Sequence, residues 1–300
     1  MYEYQSEGIV SEEGANPFLE HLPFDTPVYS YDRQCAIESL FPPCSGSVED
    51  RFVVLKNFPP DAFSQHEELP RLCDYSPLFR ILIIKMPGGP HEDAALQFNY
   101  LIMTLAENMS VRRLVRPWGS TRVDTPDRRK QADSGWGPRG PPRQFPTVAL
   151  EVGFTETTAK LENDIAWWIN GSDGDVTMGI TVDIKGSGSI EIKTWTPGSE
   201  PPSHPNYTTA SGRHVVDQGT YDPPPPRVAE RVLLKRGRNG APSTTEGNGI
   251  TIPFRDLLLS EPGQGESDFV LTSQMLLEEV GEPVWDTMDQ VERTKASKRS

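Results

Sequence analysis

The stretch Pro146-Thr-Val-Ala-Leu-Glu-Val-Gly153 decides the architecture that we expect for this chain of 300 residues. Its β-branched and apolar side chains predict a strand that is buried on both faces. Leu150 and Val152 lie on one face of this strand, and Glu151 lies on the other. A carboxylate inside such a strand costs several kcal/mol unless it is neutralised, paired or bound to a metal ion. Glu151 is therefore the first candidate for a functional residue.

Two amphipathic helices flank this strand in the sequence. A helix of about five turns is predicted after Pro90, because apolar residues recur at three- and four-residue intervals from Ala94 to Met109. A second helix is predicted over Thr155–Asn170, and Gly171 ends it. Strands or short strand pieces are predicted over 51–56, 78–85, 112–116, 120–125, 175–185, 189–195, 228–235 and 249–253, and a third helix over 268–280.

This order of elements predicts an α/β protein with a mixed central sheet flanked by helices. We expect an acidic, loop-rich region over 1–77, the α/β core over 78–258, and a C-terminal helix with a polar tail over 259–300. Residues 197–226 are rich in proline and predict an excursion without regular structure. With 35% hydrophobic residues, the chain has enough apolar side chains for one large core.

Charge is unevenly distributed along the chain, which carries a formal net charge of −14. Residues 111–143 contain nine basic and three acidic side chains, whereas both flanking regions are acidic. Such a basic segment is typical of a surface that binds phosphates, and Arg128, Arg129 and Lys130 are the residues expected to contact a nucleic-acid backbone. The segment would serve equally well to neutralise the acidic parts of the same chain, so both interpretations stay open.

Targeting signals are not expected in this sequence. No apolar run approaches the ~20 residues that a membrane-spanning helix needs, so we expect no membrane association. The first residues lack a basic segment and an apolar segment, which argues against secretion. Three cysteines are a sparse, odd set that favours a reducing compartment. The sequence therefore predicts an intracellular protein, cytoplasmic or nuclear.

A second carboxylate, Asp133, precedes the Glu151 strand and is expected to lie beside it. Two carboxylates on adjacent strands form a hard-oxygen site that suits Mg²⁺ or Mn²⁺. Lys160, on the following helix, would complete an arrangement that cleaves phosphodiesters, in which the metal ion polarises the phosphoryl oxygen. A structural interpretation of Lys160 is also open, because Glu156 and Asp164 are four residues away on either side and are natural ion-pair partners.

Four blocks of sequence resemble a known superfamily in their order and spacing. They are Ile84–Glu92, Arg129–Trp136, Pro146–Gly153 and Lys160–Trp168, within a stretch of about 115 residues. On these blocks the chain resembles the PD-(D/E)XK nuclease-like superfamily, and in particular a large group of proteins from filamentous fungi. The resemblance implies a restriction-endonuclease-like core.

The resemblance also implies roles for individual residues. Glu92 matches the acid on the first core helix, Asp133 the metal-binding aspartate, and Glu151 the acid of the third core strand. Two positions after that acid the superfamily has a lysine, whereas this chain has Gly153. In some members the lysine lies on the next helix, where Lys160 would replace it.

The leading hypothesis is a nuclease-like protein that uses Mg²⁺ or Mn²⁺ to hydrolyse nucleic-acid phosphodiesters. Asp133 and Glu151 would hold the metal ion, Glu92 would position water or a second ion, and Lys160 would assist the nucleophile. Two alternatives stay open. In the first, the protein is a catalytically inactive member of this fold that binds or scaffolds a partner. In the second, it is an interaction protein that binds protein partners through its acidic and Pro-rich segments.

Overall fold

A computed structural model describes residues 6–10, 16–34, 37–40, 49–62, 73–154, 156–198, 224–238 and 240–297. These residues form two seven-stranded sheets, a two-stranded sheet and several helices. Each large sheet contains one parallel pair among antiparallel pairs, so the prediction of a mixed α/β fold is confirmed. Most of the predicted Pro-rich excursion, residues 199–223, lies outside the described residues.

The first sheet has the strand order β1-β2-β3-β5-β4-β8-β7. Its strands are β1 (Ser6–Ile9), β2 (Pro27–Ser30), β3 (Arg51–Lys56), β4 (Cys73–Ser76), β5 (Ile81–Met86), β7 (Arg122–Asp124) and β8 (Arg129–Gln131). A loop-rich region was expected over 1–77, with one strand over 51–56. The structure has that strand and three more there, so four of the seven strands come from this region. Strands β3 and β4 both pair with the apolar strand β5, and β2 and β1 extend the sheet from β3. The predicted boundary at residue 77 therefore falls inside this sheet.

The second sheet has the order β14-β13-β12-β11-β10-β9-β6. Its strands are β6 (Val115–Pro117), β9 (Ser134–Pro138), β10 (Val148–Phe154), β11 (Met178–Ile184), β12 (Ser189–Thr196), β13 (Arg227–Lys235) and β14 (Thr244–Glu246). Strand β10 is buried at every residue, as its sequence predicts. It pairs in parallel with β11 and antiparallel with β9.

Two helices cover the faces of β10. Helix α1 (Gly89–Asn108) packs Phe98 and Ile102 into the same apolar core as Leu150. Helix α2 (Thr158–Asn170) packs on the other face, and Thr157 caps it by accepting a hydrogen bond from the Lys160 backbone N–H. Both helices were predicted. The sandwich of β10 between them buries the segment on which Glu151 lies.

The C-terminal region differs from the prediction. A helix over 268–280 was expected, but β16 (Phe269–Thr272) is a strand that pairs with β15 (Gly249–Ile252). The short helix α3 (Phe254–Leu258) lies between these two strands in the sequence. After β16, the chain forms α4 (Ser273–Leu276), a π-helical turn (Leu277–Gly281) and α5 (Glu282–Ser297). The distant partner strand decides the conformation of β16. Among the described helices, none combines the length and apolar character needed to cross a bilayer.

Helix α2 packs tightly against the second sheet at Gly179, where no side chain separates the strand from Ile165. A Cβ atom at position 179 would overlap with the side chain of Ile165, so Gly179→Ala should lower the free energy of unfolding by about 1–3 kcal/mol. Gly186→Ala is the matched control, because no atom lies within 4 Å of its Cβ position. Urea titrations of both variants measure the difference, and equal midpoints would contradict this packing.

Candidate functional site

Eleven ionisable side chains of the described residues meet between the two sheets and helix α2, and almost all of their surface is buried. We call them the charge cluster. It consists of six acidic residues, Asp50, Asp74, Asp133, Glu151, Glu156 and Asp164, and five basic residues, Lys85, His91, Arg128, Lys130 and Lys160. The cluster thus nearly balances its own charge.

The chain crosses from one sheet to the other at Asp133, between β8 and β9. Ser134 pairs with Leu150, so the preceding residue, Asp133, comes level with Glu151. The carboxylate of Asp133 accepts a hydrogen bond from the backbone N–H of Val152 at 2.6 Å. The structure therefore brings Asp133 and Glu151 to the same small space, which both residues line.

Glu151 is held by protein groups. Its Oε1 atom accepts a hydrogen bond from the indole N–H of Trp168 at 2.6 Å and lies 3.5 Å from the ammonium of Lys130. Burial raises the pKa of Glu151 to about 8, against the effect of Lys130, and the nearby charges of Asp133 and Asp164 add to the rise. The carboxyl group is consequently protonated at neutral pH for most of the time.

His91 links two aspartates. Its Nδ1 atom lies 3.0 Å from Asp50 and its Nε2 atom 3.1 Å from Asp133. Burial alone would lower the pKa of His91, but the charges of Asp133 and Asp50 outweigh it and raise the pKa to about 10. Both ring nitrogens then donate hydrogen bonds. Burial alone would raise the pKa of Asp133, but the positive charges of His91 and Lys85 outweigh this effect and lower the pKa.

Lys85 reaches from β5 of the first sheet into the second. Its ammonium donates to the carbonyl oxygen of Val152 at 2.7 Å, and lies 3.3 Å from Glu156 and 3.4 Å from Asp133. Burial would lower the pKa of Lys85, but Asp133 and Glu156 raise it well above the ordinary value. A fixed positive charge is therefore surrounded by three oxygen atoms at the centre of the cluster.

The presence of glycine at position 153 has a steric explanation in this arrangement. A Cβ atom there would lie 2.9 Å from Glu156 Oε2 and 2.9 Å from Leu161 Cδ1. The lysine that the superfamily has at this position would collide with both side chains. Lys85 supplies an ammonium to the same region from another strand. Sequence analysis missed Lys85, although its position at the polar end of an otherwise apolar strand was a usable signal.

Lys160 and Lys130 join the cluster through Asp164. Lys160 forms an ion pair with Asp164 and lies 4.0 Å from Glu156, the two partners that its helical spacing indicated. Lys130 lies 3.0 Å from Asp164 and 3.5 Å from Asp74. Lys160 therefore neutralises carboxylates and does not extend toward solvent.

The three basic residues predicted to bind phosphate lie within or close to the charge cluster. Arg128 pairs with Asp74 and with Asp164 at 3.3 Å, and Lys130 is buried. Arg129 is half-buried, with its guanidinium 5.8 Å from the centre of the Tyr75 ring. Arg128 and Lys130 serve the other interpretation, in which the basic segment neutralises acidic groups of the same chain.

Glu92 does not join the charge cluster. It lies on the exposed side of the first turn of α1, whereas the preceding residue, His91, faces Asp133. Successive helical residues are about 100° apart, so the two side chains point in different directions. The structure therefore does not bring Glu92 to the charge cluster, and its role in positioning water or a second metal ion stays a prediction. His91 is the residue that the first core helix contributes.

The donor set does not fit a divalent cation as it stands. Both oxygens of Asp133 already accept hydrogen bonds, from His91 on one side and from Lys85 and the Val152 N–H on the other. A space of only about 20 Å³ remains between the side chains, close to the volume of one water molecule. In the described part of the chain, no three His, Cys, Asp or Glu side chains are grouped to hold a metal ion.

Comparisons with known proteins find a likeness to solved structures only. The chain matches no family model and no curated protein sequence. It is similar to a crystal structure described as "a putative nuclease belonging to DUF820" from Anabaena variabilis, at 17% identity and a TM-score of 0.33. The similarity covers 46% of this chain and 80% of that one. The site and activity of this chain therefore have to be derived from its own residues.

The raised pKa of Glu151 generates a prediction about stability. The unfolded chain releases this proton near its ordinary value of 4.5, whereas the folded chain keeps it until about pH 8. The folded state is therefore favoured at low pH, and Glu151 makes the free energy of unfolding fall by up to about 1.4 kcal/mol per pH unit across this window. Urea titrations at several pH values in this range give the free energy of unfolding as a function of pH. The slope of this free energy against pH should be shallower for Glu151→Gln than for the wild type.

The control for this experiment is Glu261→Gln, which removes an exposed acid in the loop before β16. It should leave the slope unchanged. Equal slopes for Glu151→Gln and the wild type would contradict protonation of Glu151 in the folded state.

Proposed function

We propose that this is a nuclease-like protein with a restriction-endonuclease-like core, in which Lys85 replaces the divalent cation and which binds a partner without hydrolysing phosphodiesters. The observation that carries the proposal is the Lys85 ammonium, which contacts the Val152 carbonyl, Asp133 and Glu156. Carboxylate and carbonyl oxygens are the ligands that Mg²⁺ prefers. An ammonium with these contacts occupies the position that such an ion would take.

The core assignment is supported by where the four resembling blocks lie. Residues 84–92 join β5 to α1, residues 129–136 join β8 to β9, residues 146–153 lead into β10 and form most of it, and residues 160–168 lie in α2. The charge cluster receives at least one side chain from each block, namely His91, Asp133, Glu151 and Lys160. Blocks that are distant in sequence thus converge on one site.

Access to the carboxylates also supports a non-hydrolytic role. The side chains of Asp133 and Glu151 are 2% and 3% exposed. The first sheet covers them, since Lys85 and Asp74 on its strands contribute directly to the cluster. A phosphodiester in a polymer could reach Asp133 only if this sheet moved away, which would leave several charges unpaired.

Electrostatics opposes a metal ion at the same position. The cluster is close to neutral when His91 is charged and Glu151 is protonated. A divalent cation would add two positive charges to a buried site, and breaking a buried ion pair to make room costs about 3–5 kcal/mol. Binding would require Lys85 to leave and Glu151 to release its proton.

The alternatives named from the sequence remain as outcomes of the test. Hydrolysis with Mg²⁺ or Mn²⁺ is the competing function, and it requires Asp133 and Glu151 to bind the ion. The acidic N-terminal region contributes strands to the first sheet, so it does not form a separate arm where it is described. Binding of protein partners through the Pro-rich segment, an intracellular location and a relation to filamentous-fungal proteins stay predictions.

Calorimetry and a cleavage assay test the proposed function on the full chain. We expect no heat of Mn²⁺ binding at about millimolar concentration, the weak end of protein cation sites. We also expect no Mg²⁺-dependent cleavage of single- or double-stranded DNA or RNA. Cleavage by the wild type that is lost in Asp133→Asn would overturn the proposal and establish the hydrolytic alternative.

The variant Lys85→Ala tests the replacement of the cation directly. Removing the ammonium leaves the oxygens of Val152, Asp133 and Glu156 around a vacant position. We expect Mn²⁺ to raise the thermal unfolding temperature of this variant and to leave that of the wild type unchanged. A wild type that Mn²⁺ stabilises as much as the variant would contradict the proposal.

Lys85 should also matter for stability. In Lys85→Met the side-chain volume is kept but Asp133 and Glu156 lose a buried partner, so the free energy of unfolding should fall by about 3–5 kcal/mol. Lys235→Met is the matched control, because the ion pair of Lys235 with Glu246 is exposed and such pairs contribute about 0–1 kcal/mol. Urea titration measures both variants, and equal losses would show that Lys85 has no special role.

A further inference from the structure

The outer edge of the second sheet carries four exposed arginine side chains that the charge cluster does not use. They are Arg112, Arg113, Arg116 and Arg139, which we call the arginine edge. The first two lie in the turn between α1 and β6, Arg116 lies in β6, and Arg139 follows β9 directly. These residues belong to the basic segment of the sequence, but unlike Arg128 they face outward.

Strand pairing brings two of these arginines together. Strand β6 is the last strand of the sheet, and its Val115 and Arg116 pair with Pro138 and Gly137 of β9. Val115 is buried, so Arg116 faces the other side of the sheet. The backbone N–H of Arg139 donates to the carbonyl of Leu114 at 2.6 Å, which places Arg139 diagonally opposite Arg116, a neighbouring position on the sheet surface.

The arginine edge lacks internal counter-charges. In the part of the chain that the structure describes, none of its four guanidinium groups lies within 4.0 Å of a carboxylate. Several arginines elsewhere in the described residues pair with a carboxylate, as Arg143 does with Asp175 at 2.7 Å and Arg231 with Glu191 at 2.5 Å. Four exposed positive groups without carboxylate partners attract an external anion.

Trp118 provides an independent indication of a missing acceptor. Its side chain is 8% exposed, and its indole N–H is buried without a hydrogen-bond partner among the described residues. The nitrogen lies against Gly137, 3.2 Å from the position a Cβ atom would take, and the Arg116 guanidinium lies 4.7 Å from the centre of the indole. A buried donor without an acceptor costs free energy, and the cation–π contact with this indole holds the Arg116 guanidinium at the edge.

Protection of the sheet edge is a simpler role for charged residues at such a position. Natural proteins place charged side chains and proline on edge strands to prevent association. That role accounts for Arg116 and Pro117, which lie in the edge strand. It does not account for Arg112, Arg113 and Arg139, which lie outside the paired residues, or for the donor of Trp118.

We propose that the arginine edge binds the phosphate backbone of a nucleic acid. The inference extends the proposed function, a nuclease-like protein that binds without hydrolysis, by naming the ligand and the surface that receives it. Several arginines spread along an edge suit a chain of evenly spaced negative charges, to which guanidinium groups donate paired hydrogen bonds. The net charge of −14 repels a polyanion from the rest of the surface and confines binding to this edge.

Fluorescence anisotropy of labelled oligonucleotides of about 20 nucleotides tests the inference with the full chain. Single-stranded DNA, duplex DNA and single-stranded RNA are compared at about 50 mM salt. We expect the doubly substituted variant Arg116→Glu with Arg139→Glu to bind at least about tenfold more weakly than the wild type. The variant Arg116→Gln with Arg139→Gln should lose less affinity, and its salt dependence should be shallower by the loss of about two phosphate contacts.

The matched control is Arg227→Glu with Arg293→Glu, which changes the net charge equally at exposed positions away from this edge. It should bind within about twofold of the wild type. Circular dichroism of each variant shows whether it is folded. Absence of binding by the wild type, equal loss in the control, or equal displacement by poly-glutamate would overturn the inference.

Gel analysis of the same oligonucleotides after incubation with Mg²⁺ separates this inference from the proposed function. Binding with intact oligonucleotides supports both. Binding with cleavage overturns the non-hydrolytic proposal alone, whereas intact oligonucleotides without binding overturn the arginine edge alone.

Discussion

Neutralisation of buried charge where the two sheets meet is the constraint on which this structure depends. Lys85 extends from the first sheet to Val152 and Asp133 of the second, and His91 connects Asp133 to Asp50. Charges removed from water must find partners, and here the partners come from different sheets and helices. The two sheets can therefore close only in an arrangement that brings ammonium and imidazolium groups onto the carboxylates. Such pairing selects one arrangement more than it adds net stability.

The same pairing changes what a nuclease-like site can do chemically. Carboxylate and carbonyl oxygens that would bind a hard cation instead accept hydrogen bonds from a lysine of the chain itself. Under the proposed function, the Lys85 ammonium directs its hydrogen bonds to Val152, Asp133 and Glu156. It would supply neither the second positive charge nor the bound, activated water of a divalent metal ion. The buried cluster joins the two sheets, whereas Arg116 and Arg139 on the outer edge are exposed and have no carboxylate within 4.0 Å among the described residues.

Sequence reasoning succeeded where the signal was local. The buried strand around Glu151 and the two helices follow from side-chain periodicity, and the acid inside an apolar strand correctly indicated an electrostatic site. It failed where partners come from distant parts of the chain. Lys85 looked like the end of a strand, Glu92 was taken in place of His91 because a rotation of one residue decides which side chain faces inward, and β16 formed because β15 was there to pair with it.

The sequence by itself determined the class of fold, the position of Glu151 inside it and the concentration of basic residues between acidic regions. These properties depend on neighbours within a few residues, which periodicity and composition report directly. Only the tertiary structure decided which basic groups face inward and which face solvent. Arg128 and Lys130 neutralise Asp74 and Asp164, while Arg116 and Arg139 remain exposed. That division depends on strand pairing and on the low dielectric of the interior, because a buried charge is stable only beside a partner that folding brings to it.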